Sequence, residues 1–227
     1  MKRLLVCLII LLGPQVLAQE DWADISSLVD AAIKKAIENN ELKKSHVRFK
    51  KKEIRTNLNK PDSDPEKKEG DWGVGIKNED LKVTPQDISS ETHEFSFNRS
   101  LLTPNGYLVY EVNFKPRPNL PPAKNAFLEV ANRSSGTMWI DPENLYVVSI
   151  TGQMPADMSK AFSAGLGFGN IKWVKYEINQ SRRAELNNLI VIDSVKVRIK
   201  YRILWLVVAR HYYEEYTYEY SNYVYIP

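Results

Sequence analysis

Three histidines, one cysteine and a good supply of carboxylates are the residues of this chain that could do chemistry, and their spacing argues against most of it. His46, His93 and His211 lie far apart, each without a partner at ligand spacing, so the sequence offers no zinc site. His93-Glu94 lacks the second histidine of a metalloprotease helix, and no Gly-x-Ser-x-Gly elbow or P-loop occurs. Gly165-x-Gly167-x-Gly169 is not followed by a helix of dinucleotide-binding type. No two carboxylates can be placed about one substrate bond, and the turn in which Asp141 sits accounts for that residue. The expectation is a non-catalytic protein without cofactor or metal.

The lone cysteine falls in a segment that reads as an address. Lys2 and Arg3, the apolar run Leu4 to Leu12 and the small-residue end Val16-Leu17-Ala18 have the layout of a secretory leader cut after Ala18. The run is too short to span a bilayer, and Gly13-Pro14 interrupts it. Residues 19–227 then form one domain without cysteine, which excludes disulfides and thiolate chemistry and suits a bacterial periplasmic or secreted protein. Cleavage removes Lys2 and Arg3 and leaves 29 basic against 28 acidic residues, a net +1 that gives no footprint for nucleic acid. Asn98, Asn132 and Asn179 stand in Asn-x-Ser sequons, which carry little meaning in a bacterial protein.

With little reactive chemistry in view, apolar surface becomes the functional signal. Phe114, Trp139, Tyr146, Met158, Phe162, Trp173, Tyr176 and Trp205 are the candidates to line an apolar ligand cavity or its lid, against plain core packing as the alternative for each. The elements that must position them are mostly strands. Gly106 opens one with Leu108, Tyr110, Val112 and Phe114 on one face, and the stiff connection Pro116-Arg117-Pro118 to Pro121-Pro122 follows it. Ala126 to Val130 reads as a short strand. Ile171, Trp173 and Lys175 alternate with Val174, Tyr176 and Ile178. Val195, Val197, Ile199, Tyr201 and Ile203 oppose Lys196, Arg198, Lys200 and Arg202, the pattern of a strand with one wet face. From Ile203 to Val208 both faces turn apolar, so either a bulge or a covering element is expected there. Tyr216, Tyr218 and Tyr220 line a final strand.

Two helices complete the expectation. Trp22, Ile25, Leu28, Val29, Ala32, Ile33, Ala36 and Ile37 recur at helical spacing, with Asp21 as N-cap and Asn39-Asn40 as the end. Met154, Met158, Phe162 and Leu166 recur every four residues, with Pro155 at the first helical position and Gly165 closing the turn. This inserted helix either caps the sheet or forms a lid with adaptable methionines. Residues 45–58 read as an exposed or edge strand, and 59–70 as a mobile loop. The fold class is α+β, mainly β: a curved antiparallel sheet or unclosed barrel whose concave face is covered by the N-terminal helix and the short inserted one.

The run from Ser135 to Ile150 is a strand–turn–strand. With Asp141 to Asn144 as the loop, Ile140 faces Leu145 and Trp139 faces Tyr146. Alternation sets Trp139 and Tyr146 against Met138, Ile140 and Val147 without saying which set is inside.

Gly106 to Pro116, the proline-rich connection and then Gly136-Thr137-Met138-Trp139-Ile140-Asp141 resemble the outer-membrane lipoprotein-sorting (LolA-like) superfamily, in its exported bacterial branch, over roughly residues 106–227. The resemblance implies an unclosed antiparallel barrel with helices across its concavity. It also implies a lipid or lipoprotein acyl chain as the bound partner. A protein-interaction or sensor module of the envelope with a solid interior is the alternative.

Overall fold

The computed structural model describes residues 24–74, 88–103, 106–123, 126–155, 162–164, 167–205 and 208–227. Helix α1 (Ile25–His46) leads into β1 (Val47–Asn57), β2 (Glu66–Gly73), β3 (His93–Leu102) and β4 (Leu108–Pro116). Helix α2 (Ala126–Arg133) is followed by β5 (Ser135–Asp141), β6 (Tyr146–Met154), the short β7 (Phe162–Ala164) and the long strands β8 (Gly167–Arg183), β9 (Leu189–Trp205) and β10 (Val208–Tyr225). The strands make one antiparallel sheet in the order β2-β1-β10-β9-β8-β6-β5-β4-β3, with β7 added beside β8. It stays unclosed, with β2 and β3 at its edges.

Helix α1 touches both edge strands as well as β6 and β9 in the middle, so the sheet curls round it. Asp24, not Asp21, caps it: the Asp24 carboxylate accepts from the Ser26 N–H at 3.0 Å. Asp21 and Trp22 lie outside the described residues. The helix also runs through Asn39-Asn40 to His46. Asn39 is buried and imitates a peptide group, its Nδ2 donating to Ile190 O at 2.6 Å and its Oδ1 accepting from Ile190 N at 2.8 Å. A residue that ends helices by competing with their backbone here spends that capacity on β9.

Leu28, Val29, Ala32 and Ile33 share the main core with Val112, Phe114, Met138, Ile140, Ile150 and Val174. A second cluster (Val47, Leu186, Leu189 and Val191) closes the end where α1 passes into β1. Burying Leu28, Val29 and Ile33 contributes about 1.5–3 kcal/mol each, so α1 is a fixture of the concave face.

The β5–β6 hairpin differs from expectation in register. Asp141 pairs with Tyr146, Ile140 with Val147 and Trp139 with Ser149, with a bulge between the last two pairs. The turn is therefore Pro142 to Leu145, with Leu145 at φ 51°. Asp141 does serve it: its Oδ1 accepts from Asn144 N at 2.8 Å, its Oδ2 from Asn144 Nδ2 at 2.9 Å. Met138, Ile140 and Val147 are inside, and Trp139 is half-buried with the Arg99 guanidinium 5.9 Å from its ring centre.

Several elements also differ in type or place. Residues 126–133 are a helix rather than a strand. β1 is interior, since β2 pairs along it from Arg48 to Arg55, and the loop expected over 59–70 ends where β2 begins at Glu66. No described helix covers Met154 to Leu166: Met154 ends β6, fully buried, and Phe162 lies in β7, while Met158 and Leu166 lie outside the described residues. A bulge between Ile171 and Trp173 turns Ile171 to the buried face of Val174, Tyr176 and Ile178, against simple alternation.

Candidate functional site

Away from α1, the concave face changes character. Tyr201, Tyr212, Glu214, Tyr216 and Tyr218 of β9 and β10 share that face with Lys51, Glu53 and Arg55 of β1, as their register pairs require. Glu214 is 2% exposed and accepts three hydrogen bonds: from Arg55 Nη2 at 2.6 Å, Tyr216 OH at 2.6 Å and Tyr201 OH at 2.8 Å. Burial pushes its carboxyl up, but the bonds from Arg55, Tyr216 and Tyr201 together outweigh this and hold it below the usual range. Tyr201 is pushed up to about 12, by burial first and by its bond to Glu214 second. The cluster is a satisfied, ionised carboxylate with phenols that stay protonated. Its tyrosines and Arg55 are committed to Glu214, which leaves a structural role.

Among the described residues a ligand-sized space lies elsewhere, at the end of the sheet where β4 and β6 finish. A pocket of about 570 Å³ is walled by Leu120, Pro121, Pro122 and Ala123 of the proline-rich connection, by Glu129, Asn132 and Arg133 of α2, and by Pro116, Arg117, Met154 and Pro155. The prolines explain the wall. Their fixed φ keeps the connection extended, and their missing N–H groups leave no donors to satisfy on an apolar surface. Met154, buried at the end of β6, joins this wall to the main core.

The polar groups of the pocket are few and placed. Arg117 Nε donates to Ser90 O at 2.7 Å, and its backbone N–H to Thr92 O at 2.9 Å, which ties the connection to the start of β3. Arg133 pairs with the buried Glu129 at 3.3 Å, one helical turn away. The carboxamide oxygen of Asn132 is buried without a hydrogen-bond partner. Nearby His93 is fully buried, and burial lowers its pKa. It is therefore neutral, with Nε2–H donating to Ser134 O at 3.2 Å and Nδ1 taking the Thr92 hydroxyl at 2.8 Å. This histidine pins β3 to the end of α2, a positioning task.

The structure separates the eight sequence candidates. Phe114 and Tyr176 are buried in the main core. Tyr146 is half-buried beside the Asp141 turn, and Trp139 lies on the outer face under Arg99. Trp173 is also outside, edge-on to Tyr213 with Lys200 Nζ 5.7 Å from its ring centre. Phe162 and Trp205 lie in β7 and β9, with side chains outside the described set, as is all of Met158. None of the five whose side chains are described lines the pocket. Its residues come from a segment read as a stiff connection and from a helix read as a strand. The Glu129–Arg133 spacing of four was the available helical signal.

No protein-family model matches this chain, and no curated protein matches it. The fold is similar to that of a Vibrio parahaemolyticus domain provisionally described as an outer membrane lipoprotein-sorting protein domain. The TM-score is 0.40 and the identity 8%, over 87% of this chain and 93% of that one. The likeness is a loose one, of outline.

Proposed function

We propose that this is a non-catalytic binding protein of the bacterial envelope, exported by its leader, that takes the apolar chain of an anionic amphiphile into the pocket beside α2. The pocket carries the proposal. Its volume of about 570 Å³ falls in the range that holds small ligands. Its walls are prolines, Leu120, Ala123 and Met154, and its cationic rim suits a carboxylate or phosphate head. Glu129 neutralises Arg133, so Arg117 supplies the net positive charge. The concave groove itself is a poorer site, because a chain lying there would have to displace Leu28, Val29 and Ile33.

Mass spectrometry of lipid extracted from the purified protein, followed by titration of the stripped protein with a fluorescent fatty-acyl probe, tests this. Co-purifying lipid and saturable uptake are expected, with weaker uptake of the anionic probe by Arg117→Gln. A lipid-free preparation with no saturable uptake would overturn it. The second reading, an interaction module with a solid interior, draws on the complete burial of Leu28, Val29 and Ala32 under the sheet. It gives a silent titration.

A further inference from the structure

The outer face of β8, β9 and β10 carries more positive charge than it can pair. The register sets Lys175, Arg198 and Glu215 in one row across the three strands, Trp173, Lys200 and Tyr213 in the next, and Asn170, Arg202 and His211 in a third. On the other side of the first row stand Glu177, Lys196 and Thr217. Rows on one face of a sheet are about 7 Å apart and neighbouring strands about 4.8 Å, so these side chains share one patch. Lys175, Arg198, Lys200, Arg202 and His211 are all exposed.

Elsewhere on the outer face Lys52 meets Glu219 at 2.8 Å and Lys115 meets Glu94 at 2.9 Å, one cation to one carboxylate. In the patch a single carboxylate, Glu215, serves both Lys196 and Arg198. Glu177 takes the Asn179 side chain instead. Lys175 and Arg202 have no ion pair or hydrogen bond among the described residues. Lys200 lies against rings only, its Nζ 5.7 Å from the centre of Trp173 and 4.6 Å from that of Tyr213. Five cations against two carboxylates leave an excess of three positive charges, in a chain whose net charge without the leader is +1.

The patch borders the pocket. Gln153 pairs with Lys175 and Met154 with Val174, so the end of β6 that walls the pocket through Met154 and Pro155 lies one strand from Lys175. Beyond Arg202 the same face carries Leu204, 43% exposed. β9 and β10 pair there without a bulge, so the apolar stretch expected to need a bulge or a cover has neither at Leu204.

We infer that the outer face of β8–β10 docks the protein on an anionic lipid surface, with Lys175, Lys200 and Arg202 as its free cations and Trp173 and Tyr213 among the headgroups. The backbone of β9 is paired on both sides here and offers a partner no donors, so recognition rests on charge, which a diffuse anionic surface answers. Tryptophan and tyrosine rings beside lysine are the side chains that a water–lipid interface accepts, apolar in body and polar at the tip. The choice of lipid over an acidic protein rests on the reading of the pocket, because a bilayer held here lies beside the space that takes the acyl chain.

The test is co-sedimentation of the purified protein with phosphatidylcholine vesicles, with and without phosphatidylglycerol. Binding is expected on the anionic vesicles and little on the neutral ones, with release at about 1 M salt, where the screening length shrinks to about 3 Å. Lys175→Gln, Lys200→Gln and Arg202→Gln together should lower the partition coefficient about fivefold per cation, on the order of a hundredfold in all. Lys34→Gln, Lys67→Gln and Lys68→Gln, which remove three exposed cations from α1 and β2, should leave binding within a few fold of wild type. Both variants should keep the wild-type melting curve. Absence of wild-type binding to anionic vesicles would overturn the inference, as would undiminished binding by the first variant or an equal loss in the second. Binding of polyglutamate without binding of vesicles would assign the face to an acidic protein instead. Acyl-probe uptake is measured without vesicles, so a silent titration beside intact vesicle binding counts against the pocket alone, and the reverse pattern against this face alone.

Discussion

Replacing Glu214 by glutamine removes one charge from a place where three donors converge. The carboxylate is 2% exposed and takes bonds of 2.6, 2.6 and 2.8 Å from Arg55, Tyr216 and Tyr201. A hydrogen bond to a charged group contributes about 1.5–3 kcal/mol and a neutral one about 0.5–1.5, so three such exchanges cost about 3–4.5 kcal/mol before solvent screening at Arg55 is discounted. Arg55 is partly exposed and also meets Glu66 at 3.3 Å, so it is not stranded by the loss. The expected cost of Glu214→Gln is therefore about 2–3 kcal/mol. Urea unfolding at neutral pH measures it, with Tyr201→Phe as a control expected to cost about 1.5 kcal/mol, the low end for one bond to a charged group. The pH dependence gives a second reading with a fixed sign. The folded pKa of Glu214 lies below its unfolded value, so its contribution is present above the ordinary carboxylate range and is lost as pH falls through the folded value. The glutamine variant should lack that part of the acid loss. A cost under about 0.5 kcal/mol, or an unchanged acid limb, would refute the assignment of Glu214 as the ionised centre of this cluster.

Other consequences can be checked in the same way. Met138→Ala should cost about 2–5 kcal/mol and Trp139→Ala clearly less, because the first empties the core and the second uncovers an outer face; comparable costs would reverse the two faces of β5. A Cβ at Gly136 would fall on the Thr151 carbonyl and 2.8 Å from Gly152 Cα, so Gly136→Ala should lose about 2–4 kcal/mol in a thermal melt. Burial brings the Lys43 ammonium down to about 8, below its unfolded value, so stability should rise as pH increases from about 8. That gain should give way above pH 10, where buried tyrosines such as Tyr201 hold their protons more tightly when folded. Lys43→Met should be more stable near neutral pH and lack the rise. N-terminal sequencing of the exported protein should begin at Gln19.

Much of the fold was legible because alternation with one buried face leaves a period of two. β4, β9 and β10 show it plainly, and Val195 to Ile203 against Lys196 to Arg202 needs no tertiary knowledge. Where the strands bulge, the period slips by one. Ile171 falls on the unexpected face for that reason, since a bulge is a local event with no composition of its own. The β5–β6 register moves first with the turn, which starts at Pro142 rather than Asp141, and again at the bulge between Trp139 and Ile140. The end of α1 was hidden differently: Asn39 looks like a helix breaker until its partner, the Ile190 backbone, is known. Met154 and Phe162, four-residue steps of one helix face by their spacing, lie in the strands β6 and β7. The pocket was the least legible part. Its wall is proline whose role is exclusion of donors, and its charged residues acquire meaning only once α2 folds them against Met154.

The central claim is that the pocket beside α2 holds an apolar chain, and a spin-labelled or photoreactive fatty acid tests it most directly. Crosslinking of the stripped protein, mapped by peptide mass spectrometry, should place the adduct on Leu120 to Ala123, on α2 or at Met154–Pro155, and unlabelled fatty acid should compete it away. Adducts scattered over the outer face, or adducts confined to the concave strands with none in the pocket, would contradict the account.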